Sequence, residues 1–208
     1  MTTEATSSMD EQTVATRTEI LRQAHDLFCH YGFKKTNIGD IARCCGMSPG
    51  NLYRFFRNKQ AIGLAAVEQF FRQSETVMES VLLVPGGTAE ERLRGLMTAG
   101  IGHILDELDR NPRMVELAEF LCEPDNAEGW ELLNTHLAWR RARVIAEIER
   151  GIANGEFAPC DTEATAIAFG NALKVFWMPV TLASWRDPQT IRPELKAVLE
   201  LVFRGLRA

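Results

Sequence analysis

The 208-residue chain has no apolar run long enough to cross a bilayer. Its longest apolar region, Ala164 to Trp185, is interrupted by Asn171, Lys174 and Pro179, and Lys174 divides it into stretches of ten and eleven residues. A leading apolar segment with basic flanks is missing too. Met1 to Asp10 is polar and rich in Thr, Ser and Glu, so no cleaved signal peptide is expected. The five cysteines, Cys29, Cys44, Cys45, Cys122 and Cys160, are odd in number and contain no Cys-x-x-Cys pair, which fits reduced thiols rather than a disulfide framework. No segment reads as a β-strand. Nor is there a local grouping of nucleophile, base and orienting residue; His103 and His136 lie far apart in sequence with no obvious partner. These absences argue against a membrane protein, a secreted disulfide scaffold and an enzyme. They leave an all-helical cytoplasmic protein with no expected cofactor.

What is present is an ordinary globular balance, 46% apolar and 25% charged, with the charge unevenly placed. Between Thr16 and Gln60 stand Arg17, Arg22, Lys34, Lys35, Arg43, Arg54, Arg57 and Lys59 against only Glu19, Asp26 and Asp40. That segment carries +5 in a chain whose total is −5, so the remainder carries −10. A basic head on an acidic body suggests a polyanion partner for the head and a different task for the body.

Helix signals recur along the whole chain, and about nine helices are expected. Residues 1–14 read as a disordered tail. Thr16-x-x-Glu19 reads as a capping box opening a first helix, whose apolar face is Ile20, Leu21, Ala24, Leu27, Phe28 and Tyr31 and whose end is Gly32. A second short helix starts at Thr36 or Asn37, buries Ile38, Ile41, Ala42 and Cys45, and stops at Gly46. Ser48 caps a third helix, Pro49 to Phe56, with proline where its missing N–H costs nothing. Asn58 caps a fourth, from Lys59 to about Leu82, with Ile62, Ala65, Ala66, Phe70 and Val77 on its apolar side. Val84-Pro85-Gly86-Gly87 then breaks the chain. Thr88-x-x-Glu91 caps a fifth helix to about Asp109, Asn111-Pro112 precedes a sixth ending near Glu123, and a seventh runs from Ala127 to Asn154. Asp161 or Thr162 caps an eighth helix that Pro179 should break near Trp177. Asp187-Pro188 is the last turn before a ninth helix, Pro193 to Leu206. The division expected is a tail at 1–14, a head at 15–60 and a body at 61–208.

The second and third helices, joined by Cys45-Gly46-Met47-Ser48, have the proportions of a helix-turn-helix, with the third as recognition helix. On spacing alone a basic three-helix unit can also be a solvated subdomain. The residues say more. Phe33-x-x-Thr36-Asn37-Ile38-x-x-Ile41-Ala42-x-x-Cys45-Gly46-Met47-Ser48-x-Gly50-x-Leu52-Tyr53-x-Phe55-Phe56-x-Asn58-Lys59 closely resembles the signature of the TetR family of transcriptional regulators, over roughly residues 16 to 63. The resemblance implies a repressor that holds a palindromic operator as a homodimer and is released by a small-molecule effector. It also implies that Thr36 and Asn37 donate to phosphate, that Ser48 and Pro49 open the recognition helix beside the backbone, and that Gly50 and Asn51 approach base edges or the backbone. Tyr53 and Lys59 become phosphate clamps, and Arg54 reads guanine through O6 and N7. Phe55 departs from the usual His or Tyr, and Cys44-Cys45 from the usual residues before the glycine; Cys45 reads as a small buried apolar group.

In that family the body binds the effector and forms the dimer. The eighth helix, apolar on almost every face, and the ninth, with Leu195, Val198, Leu199, Val202 and Leu206, would build an intermolecular four-helix bundle. Met97, His103, Phe120, Trp139, Phe176 and Trp177 are the large or polarizable candidates for an effector pocket. The acidic body favours a neutral or cationic ligand, although helix charge is usually a solvated face. His25 and Cys29, one turn apart, lack a third ligand, so no metal site is expected. The rival reading is an architectural DNA-binding protein that uses the same head without an effector.

Overall fold

The computed structural model describes residues 2–185 and 188–207. Among them it forms eleven α-helices and no strand: α1 Thr2–Tyr31, α2 Ile38–Cys44, α3 Pro49–Leu52, α4 Lys59–Leu82, α5 Ala89–Arg110, α6 Val115–Leu121, α7 Ala127–Ala153, α8 Thr162–Ala172, α9 Lys174–Trp177, α10 Pro179–Trp185 and α11 Pro188–Leu206. A 3₁₀ turn, Pro112–Met114, leads into α6. No helix is long and apolar enough to cross a membrane, among the described residues.

Caps read from the sequence recur in the structure because capping is a local affair. Asn37, Ser48, Asn58 and Asp161 each accept a hydrogen bond from the backbone N–H three residues on. Thr88 and Glu91 complete a reciprocal capping box. The first helix differs. It begins at Thr2, so the stretch read as a tail continues the helix, and Thr16 is interior: its hydroxyl donates to Gln12 O at 2.8 Å. No glycine or proline precedes Gly32, so nothing stops the helix, and the hydroxyls turn back onto the i−4 carbonyls. Gly32 ends it at φ +89°.

The expected eighth helix is three. It breaks at Leu173 as well as before Pro179, giving α8, α9 and α10. The last helix begins five residues earlier than expected, with Pro193 inside it. Of the expected Asp187-Pro188 turn, Asp187 lies outside the described residues.

Two cores form. The body core joins α4, α5, α7, α8, α9 and α11 through Met78, Leu93, Met97, Ile101, Ile148, Phe169, Phe203 and their neighbours. Arg92 crosses it with two 2.9 Å hydrogen bonds to Glu147 and another to Leu82 O, tying α5 to α7 and to the end of α4. The head core holds Ile20, Ala24, Phe28, Ile41, Leu52 and Phe56, but it does not end at residue 60. Ile62, Ala65, Ala66 and Val67 of α4 and Leu117, Phe120 and Leu121 of α6 belong to it. Helix α4 therefore passes from one core into the other, and α6 completes the head from a distant part of the chain.

Candidate nucleic-acid interface

Helices α2 and α3 are set at an angle by the turn from Cys45 to Ser48, with Gly46 at φ +65°. Met47 N donates back to Ala42 O at 2.9 Å, and Ser48 Oγ accepts from Asn51 N at 3.2 Å, so the start of α3 is fixed. Regular helix ends at Leu52, but hydrogen bonds from Arg54, Phe55 and Phe56 carry the turn on to Phe56. Leu52 and Phe56 are buried and face the head core, while Ser48, Pro49, Gly50, Asn51, Tyr53 and Arg54 are exposed together on the other side. A Cβ on Gly50 would meet nothing closer than Ser48 Oγ at 3.9 Å, so this face is bare to an approaching surface.

The basic excess of the head is smaller at the surface than in the sequence. Arg22 pairs with Glu19 and Asp26, Arg43 with Asp40, Lys34 with Glu119 and Arg57 with Glu128. Arg17 lies 4.1 Å from the Phe56 ring centroid and donates to Phe55 O at 3.0 Å, which steadies the end of the recognition turn. Among the described residues Lys35 and Arg54 have no intramolecular hydrogen-bond or ion-pair partner and remain free for an external anion. Lys35 was not singled out in the sequence; its only signal there was membership of the basic run.

Two expected phosphate contacts are turned inward. Thr36 is buried, its hydroxyl donating to Gly32 O at 2.8 Å, and it locks the α1–α2 turn instead of presenting a donor. Lys59 donates to Phe33 O at 2.8 Å and Lys34 O at 3.3 Å, with its ammonium 4.6 Å from the Phe33 ring centroid. Burial pushes its pKa below the usual lysine value. It fastens α4 to the entry of the helix-turn-helix. Asn37 remains exposed as the cap of α2.

Beneath the head lies a cavity of about 400 Å³ between α4, α5, α6, α7, α8, α9 and α10. Its walls are apolar, with Phe70, Phe71, Leu117, Leu121, Val144 and Phe169 prominent. Of the six side chains proposed for a pocket, Met97 and Trp177 line it. Phe120 does not: it packs on Phe33 at 4.7 Å between ring centroids, within the head core. His103 stacks on Phe70 at 4.9 Å, Trp139 stacks beside His136, and Phe176 is buried in the body core. The sequence did not mark Arg140, which lines the cavity with its guanidinium carbon 3.9 Å from the Trp177 ring centroid. Its neighbour one turn back, His136, is held at 2.8 Å by Glu75, and burial chiefly pushes its pKa down.

Helix α6 lies between cavity and head. Leu117 and Leu121 belong to the head core and also line the cavity. Glu116 accepts from Lys34 N at 2.8 Å, and its carboxylate sits where a Cβ on Gly32 would have to go. A second contact joins the domains. His25 Nε2 lies 3.6 Å from Glu107 Oε1, and Cys29 Sγ 3.6 Å from His25 Nδ1. Glu107 is the third donor that the sequence lacked, and the three groups could hold a divalent ion. Without one, the ion pair of His25 with Glu107 links α1 to α5. The contact to Cys29, and then that to Glu107, holds His25 protonated up to about 10.

Comparison with known proteins agrees with this geometry. Residues 20–66 match the bacterial regulatory proteins of the tetR family, and residues 89–199 match a tetracyclin repressor-like C-terminal domain. The HTH-type transcriptional regulator TcmR of Streptomyces glaucescens is 25% identical over 211 residues, covering 83% of this chain and 87% of its own. An HTH-type transcriptional repressor of Mycobacterium tuberculosis is 26% identical over 199 residues, covering 95% and 96%. A solved TetR/AcrR-family regulator from Thermobifida fusca shares the fold with a TM-score of 0.70 at 20% identity, over 92% of this chain and 98% of that one.

Proposed function

The chain belongs to the TetR family of bacterial regulatory proteins, and from that premise we propose that it is a repressor that holds a palindromic operator as a homodimer and lets go when a small molecule fills the body cavity. It is a DNA-binding transcriptional regulator. The exposed face from Ser48 to Arg54 enters the major groove, Arg54 meets a guanine edge, and Lys35 and Asn37 meet the flanking backbone.

Dimerisation falls to α8 and α11. Ala166, Phe169 and Leu173 are spent in the body core, yet Ala164, Ile167, Ala168 and Ala172 are exposed on the opposite side of α8. Beside them on α11, Ala197 and Leu201 are exposed, Leu201 at 71%. A second copy brings an equal surface, and two helices from each chain make a four-helix seam.

The observation that carries the reading is the double membership of Leu117 and Leu121. Whatever enters the cavity presses on side chains that are also part of the head core. Because α6 holds the α1–α2 turn through Glu116, its displacement moves the two recognition helices relative to each other. Operator spacing is fixed, so only one separation fits both half-sites.

Selection of sites from a pool of random duplexes tests the proposal. Recovered sites should be inverted repeats, with half-site centres about one helical turn or a multiple apart and two chains bound per site. Binding that depends on salt but not on sequence would instead mark an architectural protein.

A further inference from the structure

The cavity's free charge is positive although the body around it is acidic. Arg140 is half-buried on α7, stacked on Trp177 of α9. Other body arginines near the core are neutralised by carboxylates: Arg92 by Glu147, Arg94 by Glu90 and Glu200, Arg143 by Glu79. Among the described residues none pairs with Arg140, and no carbonyl accepts from it. Of the other charged or titratable side chains lining the cavity, Glu107 is committed to His25 and Asn111, and His136 to Glu75. Arg141 and Lys174 stand exposed at the rim and add to the positive sign.

From this arrangement we infer that the effector is an amphipathic carboxylate, an apolar body with one carboxylate group that Arg140 receives. The inference rests on the reading of the cavity as the effector site. A guanidinium removed from water without a partner is costly, and a protein that keeps one next to an apolar space gains when an anion arrives. Stacking on Trp177 occupies one face of the guanidinium and leaves its N–H edge for the two oxygens of a carboxylate. Burial already pushes the Arg140 pKa down to about 10, the direction that an incoming anion reverses. Phe70, Phe71, Leu117, Val144 and Phe169 offer the apolar portion a dry wall, and about 400 Å³ is within the size of small-molecule sites. The net acidity of the body pointed toward a neutral or cationic ligand; of the acids that produce it, Glu107 alone lines the cavity among the described residues, and it is already committed to His25 and Asn111.

Three probes with one tail decide the matter: dodecanoate, dodecanol and dodecyltrimethylammonium, each titrated by calorimetry, the two ions below their micelle concentrations and dodecanol below its solubility limit. Dodecanoate should bind about ten- to a hundredfold tighter than the other two. Arg140→Gln should bring dodecanoate to the level of dodecanol and leave dodecanol unchanged. Equal binding of dodecanoate and dodecanol to the unaltered chain overturns the inference, whether or not the variant folds. The same probes, added to the chain on its selected operator, separate this inference from the reading beneath it. If dodecanoate and dodecanol release DNA equally, the cavity is the effector site and the carboxylate preference is wrong. If dodecanoate binds through Arg140 without weakening operator binding, the preference stands and the effector reading falls. If none of the probes binds, both fall.

Discussion

Glu116 Oε2 accepts a hydrogen bond from Lys34 N at 2.8 Å, so a carboxylate of the body closes the turn through which the chain enters the helix-turn-helix. The joint is charge-assisted on one side and has no replacement if the carboxylate is removed. Glu116→Ala should cost about 1–3 kcal/mol of stability, and Glu116→Gln, which keeps an acceptor, distinctly less. Urea unfolding of the three proteins measures this; equal midpoints would show that the turn does not depend on α6.

The cations of the head divide into free and committed groups, and salt dependence distinguishes them. Lys35→Ala should flatten the plot of log affinity against log salt by about one unit. Lys59→Met and Thr36→Val should leave that slope unchanged while lowering stability by about 1–3 kcal/mol, since each loses a hydrogen bond that holds the α1–α2 turn. A flattened slope in the Lys59 variant would restore the phosphate-clamp role.

Arg54 is exposed beside Tyr53 and Asn51, with no partner among the described residues. Arg54→Ala should weaken operator binding by about 1–3 kcal/mol and relax base preference at one position in each half-site. Site selection with both proteins reads this out. Identical preferences would place Arg54 on the backbone.

The α1–α5 link should respond to alkaline pH. His25 titrates at about 10 in the folded chain against an ordinary value of 6.5, so the charged form is favoured by folding. Its contribution is therefore complete below about 6.5 and is lost as pH rises through about 10. Asp26 at 3.8 Å, Glu107 at 3.6 Å and Cys29 Sγ at 3.6 Å all face the ring. The difference in melting temperature between the unaltered chain and His25→Asn should be largest near neutral pH and shrink toward pH 10. A constant difference would mean that the contact is indifferent to charge.

Much of this architecture is legible in the sequence because its determinants are local. Caps at Asn37, Ser48, Asn58, Thr88 and Asp161 need only their own three or four residues, and the turns at Gly32 and Gly46 need only a positive φ. Surface exposure of Ser48 to Arg54 follows from the burial of Leu52 and Phe56 at helical spacing. What was illegible depends on partners far away in the chain. Lys59 looks free until Phe33 O is found beside it, and Phe120 looks like a pocket wall until α6 packs against Phe33. The role of Arg140 emerges only when α9 brings Trp177 over it. His25 and Cys29 offered two donors, and the third waited on α5.

Occupancy of the cavity is what the proposed release from DNA turns on, and it can be imposed without a ligand. Ala118 lies on α6 and lines the cavity, so Ala118→Phe should fill part of it from the α6 side while the chain stays folded. The decisive measurement is the affinity of this variant for the selected operator beside that of the unaltered chain. Operator affinity should fall within about 5–150-fold, with dodecanoate binding weakened in parallel. A variant that no longer admits dodecanoate yet holds the operator as tightly as before would contradict it.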